Sequence, residues 1–289
     1  MRKLATLILL LFGFGPGISW CADSDRKPIL RIDLTKLGFA KDVKGLADYT
    51  TVGFLSDDLI LVAINQRSFN DVDPLFADKP DSTIVIFDIS ERRAISVARM
   101  PLFKGPRAVA PALNKHFLTL TLSEVKLCST DMQCDRSFPT RGPLWVSWKR
   151  DTVVVGGNMR TQRLLLDSQS LMPLEDVNQE AARISAEQEV AVGADHRRVE
   201  SIANADGHRL MRSEGSYTSW NKMMNPLGSL GDRPYNRQQV TVYDQLTSKE
   251  MFRLHWDPRP GMPFTPAISP TGHRIAIIVD GTLEVLDIQ

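Results

Sequence analysis

The chain has 289 residues, of which 43% are hydrophobic and 24% charged, a composition typical of an ordinary globular protein. Its formal net charge of +1 provides no long-range field that would attract an acidic partner. Because the basic residues are scattered along the chain, the composition argues against nucleic-acid binding.

The N-terminal residues have the parts of a secretory signal. Two basic residues precede an apolar stretch over residues 4–14, and a Gly-Pro-Gly break follows it. We expect residues 1–22 to be a signal peptide that is cleaved before Trp20 or before Ala22. The apolar stretch is shorter than the ~20 residues that a membrane-spanning helix needs, so we expect no membrane span after signal removal. A retained membrane anchor is the alternative.

Strand-like runs follow from Pro28 to the end of the chain. The segment from Pro28 to Leu34 stands alone, and the later runs are either alternating or rich in β-branched residues. Several of them end in a residue that begins a turn, namely Asp88, Cys128, Asp167, Asp244 and Asp287. These positions recur about every 40 residues, with one interval close to twice that, as expected for four-stranded propeller blades.

The double interval leaves the number of units open between two alignments. One predicts about six units and makes Val199–Ile202 the third strand of the missing one. The other aligns Ser201–Leu210 with Ala267–Ile275 and predicts five units. Residues 178–189 have the most helix-like pattern of the chain.

The first long connection, Gln66–Ser82, is rich in carboxylates. Asp71, Asp73 and Asp78 offer hard oxygen ligands of the kind that calcium prefers. The connection lacks the glycine and the distal glutamate of an EF-hand loop, so a solvated acidic loop is the favoured interpretation and no metal site is assigned.

Cys128 and Cys134 are separated by five residues in the second unit. If the chain is exported, it reaches an oxidising compartment in which the two thiols can pair. Their spacing fits a bridge across two antiparallel strands and the short turn between them. Two unpaired thiols are the alternative, and a zinc site is disfavoured because no histidine lies at ligand spacing.

The second long connection, Arg212–Arg237, has a composition that reads poorly as strands. It contains Trp220, Tyr235 and Arg237, and aromatic and arginine side chains are favoured at protein interfaces. Long connections in compact domains are usually functional or disordered. We therefore treat these three residues as candidate contacts.

The last unit ends near the C-terminus without a run that would supply its outer strand. The segment from Pro28 to Leu34 is the strand left over, and its addition to the last sheet would close a ring and protect exposed edges. We therefore predict an all-β fold over residues 28–289, a single propeller of about six four-stranded blades, with five as the alternative. The pairing places Ile32 close to Val285.

Residues 264–288, FTPAISPTGHRIAIIVDGTLEVLDI, resemble a blade of the WD-repeat and YVTN-like β-propeller superfamily. The shared pattern is a small apolar pair, Ser-Pro-x-Gly, an apolar strand, Asp-Gly, a second apolar strand and Asp. The central strands lack the Trp-Asp ending of true WD repeats. The resemblance implies the ring architecture and leaves the subfamily open.

No recognisable catalytic signature follows the signal segment. Gly-x-Ser-x-Gly, His-Glu-x-x-His and Walker patterns are absent from the sequence, so we assign no catalytic residue and no cofactor. We expect a periplasmic or secreted, non-catalytic scaffold that binds a protein or a small ligand on its loop-bearing face. The candidate contacts are Asp71, Asp73, Asp78, Trp220, Tyr235 and Arg237. The alternative is a hydrolase or lactonase-like propeller with a metal or carboxylate site at the central opening.

Overall fold

The computed structural model describes residues 27–37, 49–65, 82–102, 108–121, 123–140, 144–147, 149–156, 164–175, 191–192, 197–216, 237–256, 266–279 and 281–288. Apart from one short 3-10 turn, Leu34–Leu37, the regular structure in these segments is β-strand. The strands are β1 Leu30–Asp33, β2 Tyr49–Phe54, β3 Leu59–Asn65, β4 Ser82–Asp88, β5 Arg93–Met100, β6 Val109–Pro111, β7 Phe117–Leu120, β8 Glu124–Cys128, β9 Cys134–Pro139, β10 Leu144–Val146, β11 Thr152–Val155, β12 Leu164–Asp167, β13 Ala191–Val192, β14 Arg197–Ala203, β15 Arg209–Ser216, β16 Arg237–Asp244, β17 Glu250–Trp256, β18 Ala267–Ile268, β19 Arg274–Val279 and β20 Thr282–Asp287.

The described strands form five antiparallel sheets that follow one another along the chain. Sheet I contains β2–β5, sheet II contains β6–β9, sheet III contains β10–β12, sheet IV contains β13–β17, and sheet V contains β18–β20 together with β1. In sheet III, a single bridge joins Leu166 to Pro173 on the side of β12 that faces away from β11. The propeller architecture predicted from the repeat is confirmed.

Strand β1 completes the last sheet, as the sequence predicts. It pairs with β20 in antiparallel register, with Leu30 opposite Val285 and Ile32 opposite Leu283. Glu284 is buried, and its Oε1 accepts from Nε of Arg31 at 2.8 Å and from Nη2 at 2.6 Å. Main-chain pairing and one charged contact thus join two segments that are far apart in sequence.

Residues 197–203 belong to a different sheet position from the one that the six-unit alignment requires. Strand β14 pairs with β15, which pairs with β16, and the two-residue strand β13 lies on the other side of β14. We number the strands of sheet IV from β14 and leave β13 aside, so Val199–Ile202 lies in the first strand of this sheet and not in its third. The pairing follows the five-unit alignment because β14 and β15 take the same places as β18 and β19. The total number of blades stays a prediction, since residues 178–189, for which a helix is predicted, lie outside the described residues.

Four apolar clusters lie between neighbouring described sheets and give the order of these sheets. Phe54 and Leu283 belong to the cluster between sheets V and I, and Phe117 belongs to the one between sheets I and II. The other two clusters join sheet II to sheet III and sheet IV to sheet V. The first strands of neighbouring sheets are adjacent, in the pairs β14–β18, β18–β2, β2–β6 and β6–β10. The order of the described sheets is therefore IV, V, I, II, III.

The aspartates that end the third strands stabilise the turns that follow, as the sequence indicates. The carboxylate of Asp167 accepts from the amide of Ser170 at 2.7 Å, and that of Asp244 accepts from the amide of Thr247 at 2.8 Å. Asp88 accepts from the Ser90 hydroxyl at 2.6 Å. These hydrogen bonds favour the charged form and lower the pKa of all three carboxyls.

We expect Asp167→Asn to lose stability in a pH-dependent way. A carboxyl whose pKa is lower in the folded state stabilises the fold above its unfolded pKa of about 3.9, and the contribution fades as the pH falls through the folded value. The difference in unfolding free energy between wild type and variant should therefore be full at pH 6 and shrink below about pH 4. Urea unfolding at a series of pH values measures it, and a difference that grows on acidification would contradict the assignment.

Sheet II has a disulfide where the other sheets have an aspartate. Cys128 ends β8, Cys134 begins β9, and the two residues are paired in the strand register with their sulfurs bonded. The predicted bridge across a strand pair is confirmed.

Reduction of this disulfide should lower the free energy of unfolding by about 2 kcal/mol, because a cross-link over a short loop removes only a modest entropy from the unfolded chain. Urea titrations with and without dithiothreitol measure the change. A Cys128→Ser/Cys134→Ser variant serves as the control and should not respond to the reductant; an equal response in both proteins would contradict the prediction.

Candidate functional site

The turns between the first and second strand of each sheet gather at one end of the ring. These turns are residues 55–58, 112–116, 147–151, 204–208 and 269–273, and we call the surface they form the first-turn face. Three of these turns are stabilised in a common way, because a side-chain oxygen at the start of the turn accepts a hydrogen bond from the amide five residues later. Ser147 accepts from Thr152 at 3.3 Å, Asn204 from Arg209 at 2.9 Å and Ser269 from Arg274 at 3.1 Å.

The first turns of sheets IV and V are hydrogen-bonded to each other. The carbonyl of Pro270 accepts from Nδ2 of Asn204 and from the amide of Ala205, both at 3.1 Å. Nη1 of Arg209 donates to the carbonyl of Gly272 at 2.7 Å. Gly272 has a φ of +75°, and a Cβ there would lie 2.6 Å from Cδ of Arg209, so this contact requires glycine.

The first turns of sheets V and I are joined in the same manner. The hydroxyl of Thr271 donates to the carboxylate of Asp57 at 2.8 Å. Nη1 of Arg274 donates to the carbonyl of Asp57 at 2.6 Å and to the carboxylate of Asp58 at 2.8 Å, while its Nε donates to Asp287 at 3.0 Å. Polar contacts therefore connect three consecutive sheets at this face.

Arg150 lies in the first turn of sheet III and is partly buried. Desolvation lowers the pKa of its guanidinium to about 10, and the charge of Asp57 acts in the opposite direction. Asp57 belongs to the first turn of sheet I, and sheet II lies between sheets I and III. The guanidinium stays charged at neutral pH.

Three histidines occupy equivalent places on the first-turn face. His116, His208 and His273 each immediately precede the second strand of their sheet, and Nδ1 of His116 is 2.9 Å from the carbonyl of Asn114. In the part of the chain that the structure describes, histidine, cysteine and acidic side chains form no group suited to hold a metal ion.

The two long connections are attached at the opposite end of the sheets, where β3 and β15 end and β4 and β16 begin, and we call this end the long-loop face. Asp71, Asp73, Asp78, Trp220 and Tyr235 lie outside the described residues, whereas Arg237 begins β16 opposite Ser216. The structure therefore neither brings these candidates together nor separates them. Sequence reasoning did not single out Arg150 or Asp57, because the first turns meet only when the sheets are assembled.

The described segments contain no helix long and apolar enough to cross a bilayer.

Comparison with known proteins relates the chain to propellers by structure alone. The sequence matches no protein-family model and no curated protein. The WD40 domain of Neurospora crassa Pan2 is 9% identical, with 91% of this chain and 95% of that chain covered and a TM-score of 0.45. The β-propeller domain of Myceliophteria thermophila Cps50 (Swd1) is 11% identical over 86% of this chain and 100% of that chain, with a TM-score of 0.44.

BamB from Moraxella catarrhalis is 11% identical over 83% of this chain and 86% of that chain, with a TM-score of 0.33. Likenesses at this level carry no argument about function, and the fold assignment rests on the sheet order and strand registers of the chain itself. In its architecture the chain resembles the WD-repeat and YVTN-like β-propellers.

Proposed function

We propose that this chain is an exported, non-catalytic scaffold that binds another protein on its long-loop face. The observation that supports this best is the place at which the two long connections are anchored. Asn65 pairs with Ser82, and Ser216 pairs with Arg237, so residues 66–81 and 217–236 both leave and re-enter the ring at strand ends remote from the first turns.

A binding role suits the way the ring is held together. The sheets are joined by apolar clusters and by the hydrogen bonds of the first-turn face, and β1 closes the last sheet. When loops on a rigid scaffold bind a partner, the scaffold itself loses little conformational entropy. This small loss favours recognition at the long-loop face. Residues 217–236 also supply tryptophan, tyrosine and methionine, which are enriched at protein interfaces.

Export is part of the proposal. The disulfide between Cys128 and Cys134 is of the kind that persists in oxidising compartments. Export predicts a mature protein that begins at Trp20 or Ala22, and intact-mass spectrometry of protein recovered from the native host measures it. Recovery of the chain with residues 1–22 still attached would contradict this part of the proposal.

Loop replacement tests the binding role. In one variant an Asn-Gly turn replaces residues 66–81 between the paired residues Asn65 and Ser82, and in a second variant a short turn replaces residues 217–236. A partner captured by the wild-type protein is purified, and its affinity for each variant is measured by calorimetry. We expect at least one replacement to weaken binding tenfold or more while the thermal unfolding midpoint stays within a few degrees.

Leu246→Ser provides the matched control for this experiment. Leu246 is 79% exposed in the turn between β16 and β17, at the first-turn end of the sheet. This substitution also removes exposed surface from the chain, yet it should leave the affinity unchanged. Equal affinity of the wild type and both loop variants would contradict binding at the long-loop face.

A further inference from the structure

The two half-cystines of sheet II differ in their exposure to solvent. Cys128 ends β8 and is completely buried, whereas Cys134 begins β9 and is exposed. The residues on either side of Cys134, Gln133 and Asp135, are exposed as well. A thiol in solution can therefore reach the sulfur of Cys134 while the protein stays folded, and the sulfur of Cys128 is protected from it.

A hydroxyl lies beside the buried half-cystine. Oγ1 of Thr119, in the neighbouring strand β7, is 3.8 Å from Sγ of Cys128, and both residues are buried. A disulfide sulfur has no proton, so Thr119 is the donor of this contact. When the disulfide opens, the same hydroxyl can donate to a thiolate on Cys128. A buried charge needs such a contact, because it replaces the lost hydration.

The hairpin around the disulfide is also held by main-chain hydrogen bonds. In the turn, the amide of Ser129 donates to the carbonyl of Gln133 at 2.9 Å, and the amide of Met132 donates to the carbonyl of Ser129 at 3.0 Å. Beyond the turn, β8 and β9 stay paired as far as Glu124 opposite Pro139. We therefore expect the two strands to remain together when the disulfide opens.

We propose that this disulfide is a site of thiol–disulfide exchange with small thiols, in which Cys134 is attacked and Cys128 is the leaving group. A thiolate from solution bonds to Sγ of Cys134 as the bond between the two half-cystines breaks. The electron pair of the broken bond goes to Sγ of Cys128, which accepts the hydrogen bond of Thr119 and then takes a proton from water. The incoming sulfur is oxidised and that of Cys128 is reduced.

The product is a mixed disulfide on the outer strand of sheet II, at the start of β9. The exchange is reversible, because the thiolate of Cys128 can attack the mixed disulfide and expel the small thiol. The site lies in the hairpin of β8 and β9, away from the two long connections, and it does not depend on the binding role proposed for them.

Variants with a single cysteine test the difference in access. In a Cys21→Ser background, Cys128→Ser leaves only the thiol of Cys134, and Cys134→Ser leaves only that of Cys128. Each folded variant is treated with oxidised glutathione, and mass spectrometry follows the mixed disulfide. We expect Cys134 to react about tenfold faster than Cys128 or more, and the two rates to converge in urea. Equal rates in the folded variants would overturn the proposal.

The wild-type disulfide provides a second measurement that needs no single-cysteine variant. The protein is incubated with a large excess of reduced glutathione, quenched in acid, alkylated with N-ethylmaleimide in urea and mapped by mass spectrometry. We expect glutathione on Cys134 and maleimide on Cys128 in the mixed disulfide. Glutathione mainly on Cys128, or no mixed disulfide at all, would contradict the assignment.

The rate at which dithiothreitol opens the disulfide tests Thr119 as a positioning residue. Thr119→Val should slow this step about tenfold, as expected for the loss of one hydrogen bond to a charged group. A loss of packing alone would loosen the hairpin and accelerate the step, so the direction of the change separates the two roles. Thr130→Val removes a hydroxyl from the turn itself and should leave the rate unchanged. An unchanged or faster rate for Thr119→Val would overturn this part of the proposal.

Discussion

Leu34→Ala should lower the free energy of unfolding by about 2–5 kcal/mol, the range for truncation of a buried leucine. Leu34 is fully buried in the cluster between sheets V and I, and its amide donates to the carbonyl of Gly281 at 2.9 Å. The substitution therefore weakens the attachment of β1 to the last sheet. Urea unfolding followed by tryptophan fluorescence measures the loss.

The control for this prediction lies two residues further along the chain. Lys36 is exposed in the same 3-10 turn, so Lys36→Ala should change stability by no more than about 0.5 kcal/mol. Similar unfolding curves for Leu34→Ala and the wild type would contradict the role given to β1.

A cross-link between β1 and β20 tests the same pairing by stabilising it. Arg31 is opposite Glu284 in the strand register, so Arg31→Cys/Glu284→Cys should form a disulfide under oxidising conditions. Closing so long a loop stabilises by up to about 5 kcal/mol in the chain-entropy model. The oxidised variant should unfold at a higher urea concentration than its reduced form, and failure of the two thiols to bond would count against the pairing of β1 with β20.

Gly53→Val should destabilise the protein by about 3 kcal/mol, at the upper end of the usual range for overpacking. Gly53 lies in β2, and a Cβ built on it would be 2.7 Å from Cγ and 2.9 Å from Cδ of Pro111 in β6. The proline ring is rigid, so the backbones of two neighbouring sheets would have to separate. Gly53→Ala should show a smaller loss in the same direction.

Thermal and urea unfolding of the two Gly53 variants measure this effect. Pro111→Ala removes most of the obstructing ring, and its combination with Gly53→Ala should cost less than the sum of the two single changes. Strict additivity would show that the Gly53–Pro111 contact does not cause the loss.

The completion of the last sheet by β1 was predictable because an unpaired strand pattern at one end of the chain matched a missing strand at the other. The prediction placed Ile32 close to Val285, and the observed register puts Ile32 opposite Leu283, two residues away from Val285 in the same strand. The turn role of Asp167 and the disulfide between Cys128 and Cys134 were equally accessible, since both depend on residues close together in sequence. The candidate contacts in the two long connections stay predictions.

The six-unit alignment failed at β14 for a physical reason. A run of alternating residues such as 199–202 fits a pleated sheet at an inner or a central position, because both require the same period of two. Only the main-chain partners of that strand distinguish the positions, and these are β13 and β15. The similarity between the glycine-containing turns 204–208 and 269–273 predicted the position of this strand better than the alternation of residues 199–202 did.

The amino-acid sequence by itself determined the strands, the aspartate-led turns, the disulfide and the partnership of β1 with β20, because period, turn chemistry and an unpaired strand can be recognised from residue order. The tertiary structure decided which sheet contains residues 197–203 and which side chains meet at the first-turn face. Arg150 and Asp57 influence each other only after three sheets have assembled side by side. Their relation depends on distance across the ring, which no local pattern of residues encodes.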